Sequence, residues 1–296
     1  MNFVRKVYLT LRGVAEHPMH KNQRFKSVLH FCTAQVAARF VPGDICVSFP
    51  NQTFLLVPPR MKGAAHFIFP RLPEFDTMAF VMHFLRPGDL FVDVGANIGA
   101  YTVLASGVAG AKSISFEPSP SSFQSLKRSV FLNNLSGKVD LHQAALARVE
   151  GTIRVTQGLG TENHVSTGNG PSTVEVPATT LDKVLGERKP ILIKIDVEGF
   201  ESEVLGGAEQ TLMSTSVQGL IIERSGAGNQ YGFDESALHA GLRAKGFRPA
   251  FYCPAQRKLA PLSDESIGNI LYVRNLEDVN ARTRSAANFQ IGDFKV

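Results

Sequence analysis

Cysteine is scarce in this sequence. Cys32, Cys46 and Cys253 form no CxxC pair and stand far apart, so the chain carries no zinc-site spacing. Long apolar runs are missing too. Residues 1–13 (MNFVRKVYLTLRG) are basic but lack the apolar stretch of a signal-peptide core, and no later run approaches the length of a membrane span. These absences predict a soluble, cytoplasmic protein with reduced thiols and no stable membrane insertion. Internal repeats and extended low-complexity segments are absent as well.

The remaining composition is that of a folded chain, with 44% hydrophobic and 19% charged residues, far from the balance of a disordered one. At 296 residues it can hold one large α/β domain with an N-terminal elaboration, or two small domains. The formal charge of +5 is weighted to the start, in Arg5, Lys6, Arg12, Lys21, Arg24, Lys26 and Arg39, with Glu16 the only acid among them. A charged, solvated helix surface accounts for such a run; binding of an anionic substrate or a membrane surface is the alternative.

Residues 1 to about 40 carry helix formers without turn signals and predict one or two helices. Ile45 to Val57 is β-rich, broken at Pro50-Asn51, and predicts a hairpin. A helix from about Glu74 to Leu85 follows. Strand and helix patterns then alternate: strand Leu90–Val94, helix Ile98–Val108, strand Ser113–Glu117, helix Ser121–Leu132 with Phe123, Leu126, Val130 and Phe131 at helical spacing, and strand Val139–Ala145. An interruption over Gly151 to Val176 reads as an inserted hairpin or flap. Alternation resumes with strand Ile191–Ile195, helix Glu201–Leu212, strand Leu220–Glu223 and helix Glu235–Lys245, and strands Arg248–Tyr252 and Ile270–Val273 close the chain. Such βα units imply a mostly parallel sheet, with ligands bound beyond the carboxyl ends of its strands.

Three segments on that rim carry chemistry. The first strand runs into Asp93-Val94-Gly95-Ala96-Asn97-Ile98-Gly99 directly before a helix, a turn that lets backbone approach a nucleotide-like ligand. Its glycines are spaced G-x-x-x-G, not the G-x-G-x-x-G of dinucleotide enzymes. An acid at Asp93 repels phosphate and suits a cation, which favours the amino group of S-adenosylmethionine over a pyrophosphate. The second strand ends in Glu117-Pro118, placed to accept hydrogen bonds from ribose hydroxyls; a solvated strand-end acid is the plainer account. The fourth strand reads Ile193-Lys194-Ile195-Asp196-Val197-Glu198-Gly199. A period of two sets Lys194, Asp196 and Glu198 on one side, where they serve either as reacting groups or as a buried ion pair fixing the strand end.

Together these stretches resemble the FkbM family of methyltransferases. The match takes in Asp93 to Gly99, Phe116-Glu117-Pro118, Asn133-Asn134-Leu135, Gln143-Ala144-Ala145-Leu146, Thr179 to Asp182, Lys194 to Glu201 with Val204 to Ala208, and Asn269 to Val273, in order and spacing. It covers about Glu74 to Arg274. The resemblance implies a class I, Rossmann-like α/β fold of seven strands with the last antiparallel, S-adenosyl-L-methionine as cofactor, and O-methylation of a hydroxyl on a small molecule or glycan. It divides the chain into an extension at 1–73 and a methyltransferase domain at 74–296.

The expected cofactor residues are Asp93, Gly95, Ala96, Asn97 and Gly99 at the methionine end, Glu117 on the ribose, and Ala144 and Ala145 near adenine. The expected catalytic residues are Asp196, Glu198 and Lys194, with Asp196 the first choice of base and His164 in the flap a reserve, although a solvent-facing loop histidine is its plainer reading. No metal ligand is assigned; Asp196 and Glu223, at the ends of neighbouring strands, would suit magnesium if one assisted. Nucleic acid is not expected as acceptor, because the Asn/Asp-Pro-Pro-aromatic segment of base amino-methylation is absent after the fourth strand. An NAD-dependent oxidoreductase and a non-catalytic adenosine-binding module are the competing readings.

Overall fold

The computed structural model describes residues 43–58, 72–166, 172–262 and 268–291 without interruption, and shorter stretches outside them. The helices expected over residues 1 to about 40 fall largely outside the described residues. The hairpin forms as β1 (Ile45–Ser48) and β2 (Phe54–Val57), antiparallel with Ile45 opposite Val57. Pro50 opens its turn, and Asn51 and Gln52 take positive φ. Helices α1 (Ala64–Ile68) and α2 (Phe75–Phe84) follow.

The alternation after Leu90 builds one eight-stranded sheet. Its strands are β3 (Leu90–Val94), β4 (Lys112–Phe116), β5 (Val139–His142), β9 (Leu192–Ile195), β10 (Gly219–Arg224), β11 (Arg248–Cys253), β12 (Lys258–Pro261) and β13 (Gly268–Val273), in the order β12-β11-β13-β10-β9-β3-β4-β5. Strands β5, β4, β3, β9 and β10 run parallel, and β13 lies antiparallel between β10 and β11. This is the class I methyltransferase arrangement. The strand Ile270–Val273 is the expected antiparallel one, and β12 extends the edge as an eighth strand that the sequence reading missed. Central strands are buried on both faces, as in Phe91, Val92, Leu192 and Ile193, which is why they read as continuous apolar runs.

Helices α3 (Ala100–Val103), α4 (Pro120–Leu132), α5 (Leu181–Leu185), α6 (Glu201–Gly206), α7 (Glu209–Met213), α8 (Glu235–Ala244) and α9 (Leu276–Arg284) complete the chain. Two large apolar clusters form most of the core, one joining the hairpin, α2 and α3, the other beneath α6, α7 and α8, and a small third gathers Ala145, Val155 and Val176. The hairpin docks on α4 through Asn133, which accepts from the Phe54 amide at 2.8 Å and donates to its carbonyl at 2.7 Å.

Several expectations are corrected. Phe131 is 76% exposed, so only part of the expected stripe on α4 faces the core. Helix α3 runs into a π-helical turn at Leu104–Val108. The third strand stops at His142; Ala145 and Leu146 form β6, which leaves the main sheet to pair with β8 (Thr173–Thr179), itself antiparallel to β7 (Gly151–Thr156). The flap is therefore a small separate sheet. The helix expected over Glu201–Leu212 is two helices, because the Gly207 carbonyl goes to the Asp182 amide and the Asp182 carboxylate accepts from the amides of Gln210 and Thr211, capping α7 from outside. Val273 does not close the chain; α9 follows it, capped by Asn275. Among the described residues no helix is long and apolar enough to cross a membrane.

Candidate functional site

The carboxyl ends of β3, β4, β9 and β10 surround a cavity of about 240 Å³. Gly95 sits where the loops after β3 and β9 touch. Its φ is +78°, and a Cβ there would lie 1.8 Å from the Asp196 carbonyl oxygen, so no other residue fits without displacing backbone. The Gly95 and Ala96 amides donate to the Phe116 carbonyl at 3.0 and 2.9 Å, which ties this turn to the end of β4. Gly99 does not line the cavity; at φ +94° it lets the start of α3 approach Leu126 of α4.

Glu117 stands buried at the end of β4. One carboxylate oxygen accepts from the Asn97 amide at 2.9 Å and the other from the Ser119 amide at 2.8 Å. Burial pushes its pKa up to about 7, against these two amides, which favour the ionised form. Each oxygen keeps acceptor capacity for a hydroxyl in the cavity.

Asp93 is 1% exposed. Its Oδ2 accepts from Thr102 at 2.7 Å, while Oδ1 is buried without a partner. Lys194, equally buried, donates to Asp196 Oδ2 at 2.7 Å and lies 4.7 Å from the centre of the Tyr101 ring. Burial favours its neutral form, but Asp196, Asp93 and Glu74 together outweigh burial and raise its pKa.

Asp196, Glu198 and Glu223 present carboxylate oxygens within 4.8 Å of one another. Burial, then the Asp196 charge, pushes Glu198 up to about 7 and Glu223 up to about 8. The strand alternation expected through Glu198 ends at Ile195; Glu198 reaches the cluster from a loop, at φ +55°. Three oxygen donors so placed can share a proton or hold a hard divalent cation.

The flap covers one side of the cavity. Val155 bridges to Val165, the Tyr231 hydroxyl donates to the Val165 carbonyl at 2.7 Å, and Asn163 reaches Ser119 at 3.4 Å. His164 is half-buried and lines the cavity.

Asp93, Gly95, Ala96, Asn97, Glu117, Ala144, Ala145, Lys194, Asp196 and Glu198 thus all line one cavity, and Gly99 alone supports it from behind. Glu74 and Tyr101 were not foreseen. Tyr101 lies two residues after Gly99, a position that could have drawn notice; Glu74 marked only the start of a helix and of the resemblance, with no motif to single it out. Among the described residues the lining holds six carboxylates, from Glu74, Asp93, Glu117, Asp196, Glu198 and Glu223, and one ammonium, Lys194. Such a wall offers a pyrophosphate no positive charge beyond Lys194 and offers acceptor oxygens to a cationic ligand.

Residues 93–249 match the family model described as the methyltransferase FkbM domain. The chain belongs to this family. Methyltransferase 1 of Beauveria bassiana is 32% identical over 150 residues, covering 42% of this chain and 60% of the relative. The hexuronic acid methyltransferase AglP of Haloferax volcanii is 29% identical over 156 residues, covering 48% and 59%. The 31-O-demethyl-FK506 methyltransferase FkbM of Streptomyces tacrolimicus is 30% identical over 183 residues, covering 50% and 70%. The matches thus span about 60% of the length of the first two of these relatives. Among solved structures, the methyltransferase FkbM from Methylobacillus flagellatus aligns over 84% of this chain and 60% of its own, at 16% identity and a TM-score of 0.44. The glycine turn, Glu117 and the Lys194 to Glu201 segment all fall within the part of the chain that matches the FkbM domain.

Proposed function

We propose that this FkbM-family chain transfers the methyl group of S-adenosylmethionine to a hydroxyl of a small molecule or glycan. The observation that carries the reading is the acid-lined cavity at the β3 and β4 ends, where Asp93 keeps a buried, unpartnered oxygen and Glu117 faces inward. A bound sulfonium cofactor carrying an ammonium group satisfies that wall; a dinucleotide does not. The names of the hexuronic acid methyltransferase AglP and of the 31-O-demethyl-FK506 methyltransferase support a glycan or small-molecule acceptor.

Glu117 binds the ribose hydroxyls, the turn from Asp93 to Asn97 holds the methionine end, and the Ala144-Ala145 backbone borders adenine. When bound, the cofactor supplies a methyl group on positively charged sulfur, which departs as a neutral thioether. The protein's larger contribution is alignment of the acceptor oxygen, which is worth about 7–11 kcal/mol in well-oriented reactions. Asp196 takes the acceptor's proton through the oxygen that Lys194 does not hold, and Glu198 stands beside it. A positioned carboxylate adds about 10²–10⁴-fold in this role.

The Asp196, Glu198 and Glu223 grouping supports one second reading, in which a divalent cation lowers the pKa of the acceptor hydroxyl. Undiminished turnover after exhaustive chelation rules that out. The central test is incubation with isotopically labelled S-adenosylmethionine and metabolite or glycan extracts, followed by mass spectrometry. No labelled product, or tighter binding of NAD than of S-adenosylmethionine, overturns the proposal.

A further inference from the structure

Glu74 lies outside the residues that match the FkbM domain, yet its side chain lines the cavity. It stands immediately before α2, and its Oε2 accepts from the Tyr101 hydroxyl at 2.5 Å. That hydroxyl also meets Thr77 of α2 at 2.6 Å, so two residues of one helical turn hold Tyr101, which in turn fixes the Glu74 carboxylate. The Tyr101 ring carries Lys194 on its face. Glu74, Asp93 and Asp196 all act on the single Lys194 ammonium. Lys194 gives its hydrogen bond to Asp196, which leaves Asp93 Oδ1 buried without a donor.

The arrangement holds more carboxyl groups than cations. Three carboxylates from three segments of the chain converge on one ammonium, and a buried carboxylate left without a partner is costly. A carboxylate used only to anchor a tyrosine needs neither the cavity-facing position of Glu74 nor the company of two other acids. A ligand ammonium carries three N–H donors and one positive charge. It would satisfy Asp93 Oδ1 and offset part of the excess charge.

We infer that Glu74 is a binding residue for the α-ammonium group at the methionine end of the cofactor, acting jointly with Asp93. The inference rests on the cofactor reading above. It makes the segment before β3 part of the binding site, with Tyr101 as the residue that positions Glu74.

The test is titration calorimetry of the full chain with two adenosine thioethers. S-adenosylhomocysteine has the amino-acid end, and 5′-methylthioadenosine lacks it. Glu74→Gln keeps an acceptor for Tyr101 but removes the charge. Its Kd for S-adenosylhomocysteine should rise about ten- to a hundredfold, as for loss of a charged hydrogen bond. Its Kd for 5′-methylthioadenosine should stay within about twofold of wild type, and this second ligand also reports that the pocket is folded. Tyr101→Phe should show the same selectivity with a smaller loss. Equal weakening for both ligands makes Glu74 structural and overturns the inference, as does unchanged affinity for both. If the wild-type protein binds neither thioether, the cofactor reading itself fails and takes this inference with it.

Discussion

Lys194 donates to Asp196 Oδ2 at 2.7 Å from a side chain only 4% exposed. The pair joins the last residue but one of β9 to the loop that begins the acceptor side of the cavity. Lys194 is also the cation that Asp93 and Glu74 face. Lys194→Met therefore strands three carboxylates, and removing one partner from a buried pair costs about 3–5 kcal/mol. Urea unfolding of the variant checks this, and a loss under about 1 kcal/mol, the range of a surface ion pair, rules out the buried network as described.

Asp196→Asn keeps an oxygen for Lys194 while removing the charge. The variant should hold S-adenosylmethionine with nearly wild-type affinity and lose turnover by about 10²-fold or more. Single-turnover methylation of the identified acceptor, beside calorimetry of cofactor binding, separates the two effects. Turnover close to wild type moves the proton to Glu198 or His164.

Glu117→Ala deletes the acceptor that Asn97 and Ser119 hold in place. A ribose hydroxyl then loses a charged partner, which costs about 1.5–3 kcal/mol, or roughly ten- to a hundredfold in affinity. Wild-type affinity for S-adenosylmethionine in the variant removes Glu117 from the ribose site.

What could be read from the sequence was local. Leu90–Val94 is bounded by Pro87-Gly88 on one side and Gly95 on the other, so strand, turn and following helix were all visible in a few residues. Glu117 was found because it lies one βαβ step further on. The parts missed depend on distant partners. Helix α7 begins where it does because Asp182, nearly thirty residues earlier, accepts from Thr211, and no periodicity in Glu201–Leu212 reveals that. Phe131 keeps helical spacing yet faces outward, because one position's rotation around α4 decides burial and the sequence pattern fixes that angle loosely. Glu74 meets Tyr101 across 27 residues through a single hydroxyl. Glu198 turns inward through a left-handed backbone that its residue type does not announce.

Gly95→Ala tests whether the turn tolerates any side chain. The new Cβ would fall 1.8 Å from the Asp196 carbonyl oxygen, in a backbone conformation at φ +78° that alanine disfavours. Strain of that conformation alone costs about 1–3 kcal/mol, and the clash must also push the β3 and β9 loops apart. Reduced thermal stability with loss of S-adenosylmethionine binding is expected. A variant with wild-type melting temperature and affinity contradicts the loop contact.

The acidic cluster sets a pH dependence of stability whose sign follows from its raised pKa values. Glu198 is pushed up to about 7 and Glu223 to about 8, both from an ordinary 4.5, first by burial and then by Asp196. Lys194 opposes the shift in both, while Glu162 and Glu201 add to it for Glu198, and Glu198 and Glu201 add to it for Glu223. From about pH 4.5 to 8 the folded chain retains protons that the unfolded chain has released, so the unfolded state binds fewer and these groups make stability fall as pH rises. Below that window both states are protonated and the contribution is fully present; above it the contribution is gone. Glu117, raised to about 7 by burial, acts in the same direction. Glu223→Gln removes one of these groups without changing its shape. Its stability should match wild type near pH 5, exceed it at pH 8, and fall less steeply between the two. Denaturant unfolding across this range, with chelator present so that no cation neutralises the cluster, measures the slope. A variant slope equal to that of wild type shows that Glu223 does not hold its proton in the folded chain, and with that the mutual repulsion assigned to Asp196, Glu198 and Glu223 fails.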